Sequence, residues 1–159
     1  MEIWTDGGKN KEMASWGFCY YSPQLEKIIY EKYGTLTGTS QEGELSAALK
    51  ALEFLVERYN KNLDNIQVIL YSDSQYLVKG INEWLWGWKN RSWKGSSNKT
   101  IKNLEYWQTL DKLKTQIPHI KFKWVRGHSG VELNEYVDGL CQKAIKEARQ
   151  HEESRRNNS

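Results

Sequence analysis

"VILYSDSQYL", residues 68–77, decides how this chain folds. Val68-Ile69-Leu70-Tyr71 is an apolar run of the kind that enters a buried sheet as a strand. It ends on Ser72 and Asp73, and beyond Ser74 the period changes. Leu77, Ile81 and Leu85 recur four residues apart, which predicts a helix. A core strand that ends on a carboxylate needs a reason, because desolvation makes the charge expensive. In open α/β sheets, sites form beyond the carboxyl ends of the strands. Asp73 stands at such an end and is the first candidate functional residue.

Working outward, three β-rich stretches precede this strand. Ile3 to Asp6 is the first, and Trp16 to Ser22 and Lys27 to Thr37 follow as a hairpin joined by "PQLE". A helix is expected from Glu44, where Leu45, Ala48, Leu52 and Leu55 make one apolar face. After the helix beyond Asp73, "GWKNRSWKGSSNKT" reads as a loop. Leu104, Trp107, Leu110 and Leu113 then predict another helix, stopped before Pro118. "IKFKWV" (120–125) alternates as a last strand, and a final helix runs from about Asn134 to Gln150. The order is β-β-β-α-β-α-α-β-α. It predicts an α/β fold, a five-stranded mixed sheet with helices on both faces. A chain of 159 residues suits one domain, placed at 1–150, with a polar and disordered tail at 151–159.

Composition excludes several classes. The two cysteines, Cys19 and Cys141, sit in apolar patterns and read as small buried side chains. Without a C-x-x-C motif nothing points to zinc. No apolar run approaches the ~18 to 20 residues of a membrane span. "MEIWTDGG" has no signal-peptide features, so a cytoplasmic setting is expected. The net charge of +3 is small, but its distribution is uneven. Between residues 79 and 102, six basic residues (Lys79, Lys89, Arg91, Lys94, Lys99, Lys102) face one acid, Glu83, among Trp84, Trp86, Trp88 and Trp93. Such interleaving suits a nucleic-acid surface. It equally suits a solvated helix whose tryptophans pack on the body, and both readings stand at this point.

Four acids lie near element ends: Asp6 before Gly7-Gly8, Glu44 opening a helix, Asp73, and Asp138 inside the last helix. Turn, cap and helix-dipole roles would explain the first three. Asp138 gains nothing from capping. If the four converge, each like-charged pair ~4 Å apart is opposed by roughly 1 to 4 kcal/mol, depending on the effective dielectric. Protons or cations must then neutralise them. An all-oxygen donor set suits Mg²⁺ or Mn²⁺, and two such ions can hold the attacking and leaving oxygens of a phosphodiester.

"TDGG" (5–8), "GELSAALKALEFL" (43–55), "YSDSQYLVKGINEWLWGWKNRSWK" (71–94) and "WVRGHSGVELNEYVD" (124–138) together resemble the type 1 ribonuclease H family over almost the whole chain. The resemblance implies a ribonuclease H-like fold and a monomeric endoribonuclease that cuts the RNA strand of RNA–DNA hybrids, leaving 5′-phosphate and 3′-hydroxyl ends. It implies Asp6, Glu44, Asp73 and Asp138 as ligands of two Mg²⁺ ions, with Mn²⁺ as the substitute. It implies His128, in "RGHSG", as a group that shuttles protons or helps product leave, which suits an imidazole near neutral pH. Gln75 and Asn134 match positions that contact the minor groove of the hybrid, where an amide can sense 2′-hydroxyls. Trp84, Trp88, Lys89, Arg91 and Lys94 match a basic protrusion gripping the DNA strand, while Trp86 is expected to pack. Thr39 matches the family's sugar-contacting stretch, and Ser40 and Gln41 replace its two asparagines. Gly8 replaces a serine, and Glu42 is expected to add charge beside the metal site. Two rivals share this fold: a strand-transfer enzyme or other nuclease, and a hybrid-binding module without catalysis.

Overall fold

The computed structural model describes residues 1–158. Strands β1 (Glu2–Asn10), β2 (Met13–Ser22) and β3 (Lys27–Thr37) form an antiparallel meander. Helix α1 (Ser40–Tyr59) follows, then β4 (Val68–Ser72). Next come α2 (Gln75–Lys79), a π-helical turn (Gly80–Trp84) and α3 (Leu85–Asn90). Helix α4 (Leu104–Thr115), strand β5 (Ile120–Trp124) and helix α5 (Glu132–Asn157) complete the chain. The sheet order is β3-β2-β1-β4-β5, with β4 parallel to both β1 and β5.

Alternation along the strands assigns the helices to faces, since successive side chains point to opposite sides. Ile3, Phe18, Tyr20, Leu70 and Phe122 join the large core with Leu45, Leu52, Leu77 and Trp107, so α1, α2 and α4 cover one face. Trp4 and Cys19 join Val137 and Leu140, so α5 covers the other. Helices therefore lie on both faces of a mixed five-stranded sheet. Cys19 and Cys141 are buried free thiols. No helix among the described residues is long and apolar enough to cross a membrane.

The differences from the sequence expectation are local. Strand β1 runs on to Asn10 because it keeps pairing with β2, so Asp6 lies within it rather than at its end, and α3 continues to Asn90, into the stretch expected as a loop. Helix α1 starts at Ser40 rather than Glu44, because Thr39 and Glu42 close a capping box: each side chain accepts from the other's backbone N–H. The helix after Asp73 carries a π-turn in which the Leu85 N–H donates to the Gly80 carbonyl. A Cβ on Gly80 would fall 2.0 Å from the Trp107 ring, so the bare backbone there lets the indole fill the space. Helix α5 continues past Gln150 to Asn157, across most of the stretch expected as a disordered tail. Glu152 and Glu153 alternate with Arg155 and Arg156 at helical spacings and no breaker intervenes. Ser159, also assigned to that tail, lies outside the described residues.

Candidate active site

The parallel pairing of β1 with β4 answers the question raised by Asp73. Thr5 pairs with Ser72, so Asp73, just beyond the end of β4, stands beside Asp6, which lies within β1 where that strand continues past β4 along β2. Glu44 reaches them from the second turn of α1. That approach depends on two glycines: a Cβ on Gly7 would fall 2.3 Å from the Glu44 nitrogen, and one on Gly43 would fall 2.4 Å from the Ser15 carbonyl oxygen. With hydrogen alone at both positions, the first turns of α1 rest on the strand backbone. Asp6, Glu44 and Asp73 then offer oxygens that all lie within 4.8 Å of one another, an arrangement able to hold a metal ion.

Asp138 joins from α5 as a neighbour of Asp6, close enough to act on it through both its charge and a hydrogen bond. Asp6 is only 5% exposed. Burial first, then the charges of Asp73 and Asp138, push its pKa from 3.8 up to about 9. Glu44 is also raised, by burial and by Asp73, against a lowering hydrogen bond from the Ser74 hydroxyl. Burial leads the upward shift of the Cys141 thiol, which donates to the Asp6 carbonyl. Without a cation, the Asp6 carboxyl therefore keeps its proton at neutral pH.

The surrounding side chains hold the carboxylates in place. Ser74 caps α2 by accepting from the Leu77 N–H. The Asn134 amide donates to Asp73 Oδ2 at 3.3 Å, and the Trp124 indole N–H donates to the Asp73 carbonyl at 3.0 Å. Gln142 donates to Asp138 Oδ2 at 3.0 Å. Gly127 lies against Asp73, and a Cβ there would fall 2.7 Å from Oδ2. His128, the next residue, is exposed with φ at 52°.

The other expected contact residues divide. Gln75 is exposed at the first position of α2. Thr39 is the α1 N-cap, with Ser40 and Gln41 in its first turn, and Gln41 Oε1 is buried without a protein partner. Asn134 departs from expectation: it is 2% exposed and spends its amide on Asp73 rather than presenting it at the surface. Glu42 departs as well, since its carboxylate closes the cap. Along α2 and α3, Trp88 is half-buried between Trp84 and Trp107, at centroid distances of 5.9 and 5.3 Å. Trp86, expected to pack, is 77% exposed, because Leu85 and Trp88 take the inward positions on either side of it. Lys89 pairs with Asp111 at 3.1 Å, Arg91 donates to the Lys94 carbonyl, and Lys94 is exposed. Ser74, Trp124 and Gln142 support the site as well, beyond the residues expected from the sequence. Ser74 carried a signal, an N-cap residue opening an apolar period, and so did Gln142, one turn beyond Asp138.

The family model described as RNase H matches residues 1–146. A ribonuclease H from Hahella chejuensis (strain KCTC 2396) is 40% identical over 150 residues, covering 93% of this chain and 95% of its own. One from Acidovorax sp. (strain JS42) is 39% identical over 148 residues, covering 91% and 94%. Among solved structures, LC11-RNase H1 in complex with RNA/DNA hybrid superposes with a TM-score of 0.71 at 20% identity, covering 92% of this chain and 97% of that one, a likeness of fold. The match along nearly the full length of both chains, together with carboxylates gathered from β1, α1, β4 and α5, places this chain in the ribonuclease H family of nucleases.

Proposed function

We propose that the chain hydrolyses the RNA strand of RNA–DNA hybrids, leaving 5′-phosphate and 3′-hydroxyl ends, with two Mg²⁺ ions held by Asp6, Glu44, Asp73 and Asp138. Mn²⁺ would substitute. The observation that carries this reading is the crowding at Asp6: a buried carboxyl whose oxygen lies within 4.8 Å of oxygens of Glu44 and Asp73, with its pKa pushed up by burial and by the charges of Asp73 and Asp138. Such a site ionises fully only when cations enter, and its donors are all hard oxygens. When bound, the ions would supply charge stabilisation at the attacking and departing oxygens of the phosphodiester.

The chain's own groups do the rest. Asn134 and Trp124 orient Asp73, Ser74 orients Glu44, and Gln142 fixes one oxygen of Asp138. His128, exposed beside Gly127, would move a proton at the attacking water or the departing product. Gln75, Thr39, Ser40 and Gln41 would face the groove of the hybrid, where 2′-hydroxyls distinguish RNA. Trp84, Trp86, Arg91 and Lys94 would meet the backbone of the DNA strand. We assign catalysis to residues 1–150 acting as a cytoplasmic monomer without a protein partner.

Labelled RNA–DNA hybrid, RNA duplex and DNA duplex, each with and without Mg²⁺, test the proposal. Hybrid alone should be cut, only with the ion, and not by Asp73→Asn. Binding of hybrid without cleavage would make the chain a binding module. Preference for branched or duplex DNA would make it a strand-transfer enzyme.

A further inference from the structure

The carboxylates lie between two basic regions on opposite faces of the sheet. One is the tryptophan-rich arm of α2 and α3. The other is a groove of about 620 Å³ between α5 and the end of the β1–β2 hairpin. The groove opens at Asp138, runs past Lys9, Lys146 and Arg149, and ends at Glu153. Arg149 donates to the Asn10 side chain, which ties this part of α5 to the hairpin and orients the guanidinium. Apart from Asp138, which belongs to the carboxylate site, three cations face a single acid.

A helix rises about 1.5 Å per residue, so Lys146 and Arg149 stand about 12 and 16 Å beyond Asp138 along α5. One strand of a duplex places a phosphate about every 3.4 Å of axis, so this reach corresponds to roughly three to five nucleotides. A strand whose backbone passes over Asp138 in this direction would run along the groove that Asp138 itself lines.

We propose that Lys9, Lys146 and Arg149 bind backbone phosphates of the strand being cut, a few nucleotides from the cleaved bond on the α5 side. The inference rests on the hybrid-cleaving reading above. These contacts fix register and affinity without reading bases. They make α5, through its C-terminal half, part of the substrate surface.

The test is binding of fluorescent RNA–DNA hybrid in EDTA across a salt series, with full-length wild type, Lys9→Gln, and Lys146→Gln combined with Arg149→Gln. Each lost phosphate contact should flatten the slope of log affinity against log salt by about 1. The double variant should bind roughly 5- to 20-fold more weakly at low salt, and its KM for cleavage should rise accordingly. Shortening the hybrid on the α5 side should erase the difference between variant and wild type. Slopes equal to wild type in Lys9→Gln and in a double variant with unchanged thermal midpoint would overturn the groove. Wild type that binds hybrid without cutting it would overturn the proposed function instead, while the slopes still report on the groove.

Discussion

The carboxylate site and the tryptophan-rich arm are built in opposite ways. The arm is one continuous stretch, residues 75–94, whose charges and aromatics stand together in sequence before any folding occurs. The site takes one residue from each of four elements spread between residues 6 and 138, and two of its oxygens meet only because β1 and β4 pair in parallel. The arm exposes its charges, where solvent keeps them cheap. The site crowds its charges into a space where they are unfavourable until neutralised. Local sequence can therefore gather charges and aromatics into one patch, while the crowded electrostatics of the carboxylate site require the whole sheet.

The sharpest way to break that contrast is Asp6→Asn. Hybrid cleavage should fall about a thousandfold or more, equivalent to ~4 kcal/mol of lost transition-state stabilisation, while the metal-free fold should be no less stable.

The pH dependence follows from the same residue. The folded chain holds the Asp6 proton to about pH 9, against 3.8 when unperturbed. A proton bound more tightly by the folded state favours folding, fully so below 3.8, and the benefit is lost as pH rises through 9. Between pH 6 and 9, where ordinary carboxylates are already ionised, metal-free protein should lose at most about 1.4 kcal/mol per pH unit, or a few degrees of thermal midpoint. Mg²⁺ should flatten the decline by replacing the proton, and Asp6→Asn should remove it. A metal-free midpoint that stays level over this range would show that Asp6 is not crowded as described.

Within the arm, two tryptophans two residues apart should behave differently. Trp88→Ala removes a half-buried ring wedged between Trp84 and Trp107. It should destabilise by ~2 to 3 kcal/mol, read as a drop in thermal midpoint. Trp86→Ala removes an exposed ring and should stay within ~0.5 kcal/mol of wild-type stability, while raising KM for hybrid several-fold. If Trp86→Ala left KM unaltered, the exposed face of the arm would not be a substrate surface.

The smallest effect belongs to Glu42. Glutamine preserves the capping box, so Glu42→Gln should alter neither stability beyond a few tenths of a kcal/mol nor the Mg²⁺ dependence. Glu42→Ala should cost about 1 kcal/mol on unfolding. A Mg²⁺ dependence shifted by Glu42→Gln would return this carboxylate to the metal site, where its charge alone had suggested it.

Much of the architecture was legible. Periodicity placed all five strands and the helices, because a period of 2 or 3.6 residues follows from backbone geometry. The α1 boundary was missed because Ser40-Gln41-Glu42 is polar and the apolar face starts only at Leu45. The capping box that would have set the start lay in Thr39 and Glu42. Trp86 is exposed where packing is expected because residue type alone does not distinguish one tryptophan from its neighbours; its angle around the helix relative to Leu85 does.

Sequence alone determined the strands, most of the helices and their order, and it set the charges and tryptophans of the arm side by side, since these are written in local spacing. Tertiary structure alone decided that Asn134 turns inward to Asp73 and that Lys9 meets Lys146 and Arg149 across a groove. Those outcomes depend on distances between segments far apart along the chain, which strand pairing and helix packing set and no local pattern encodes.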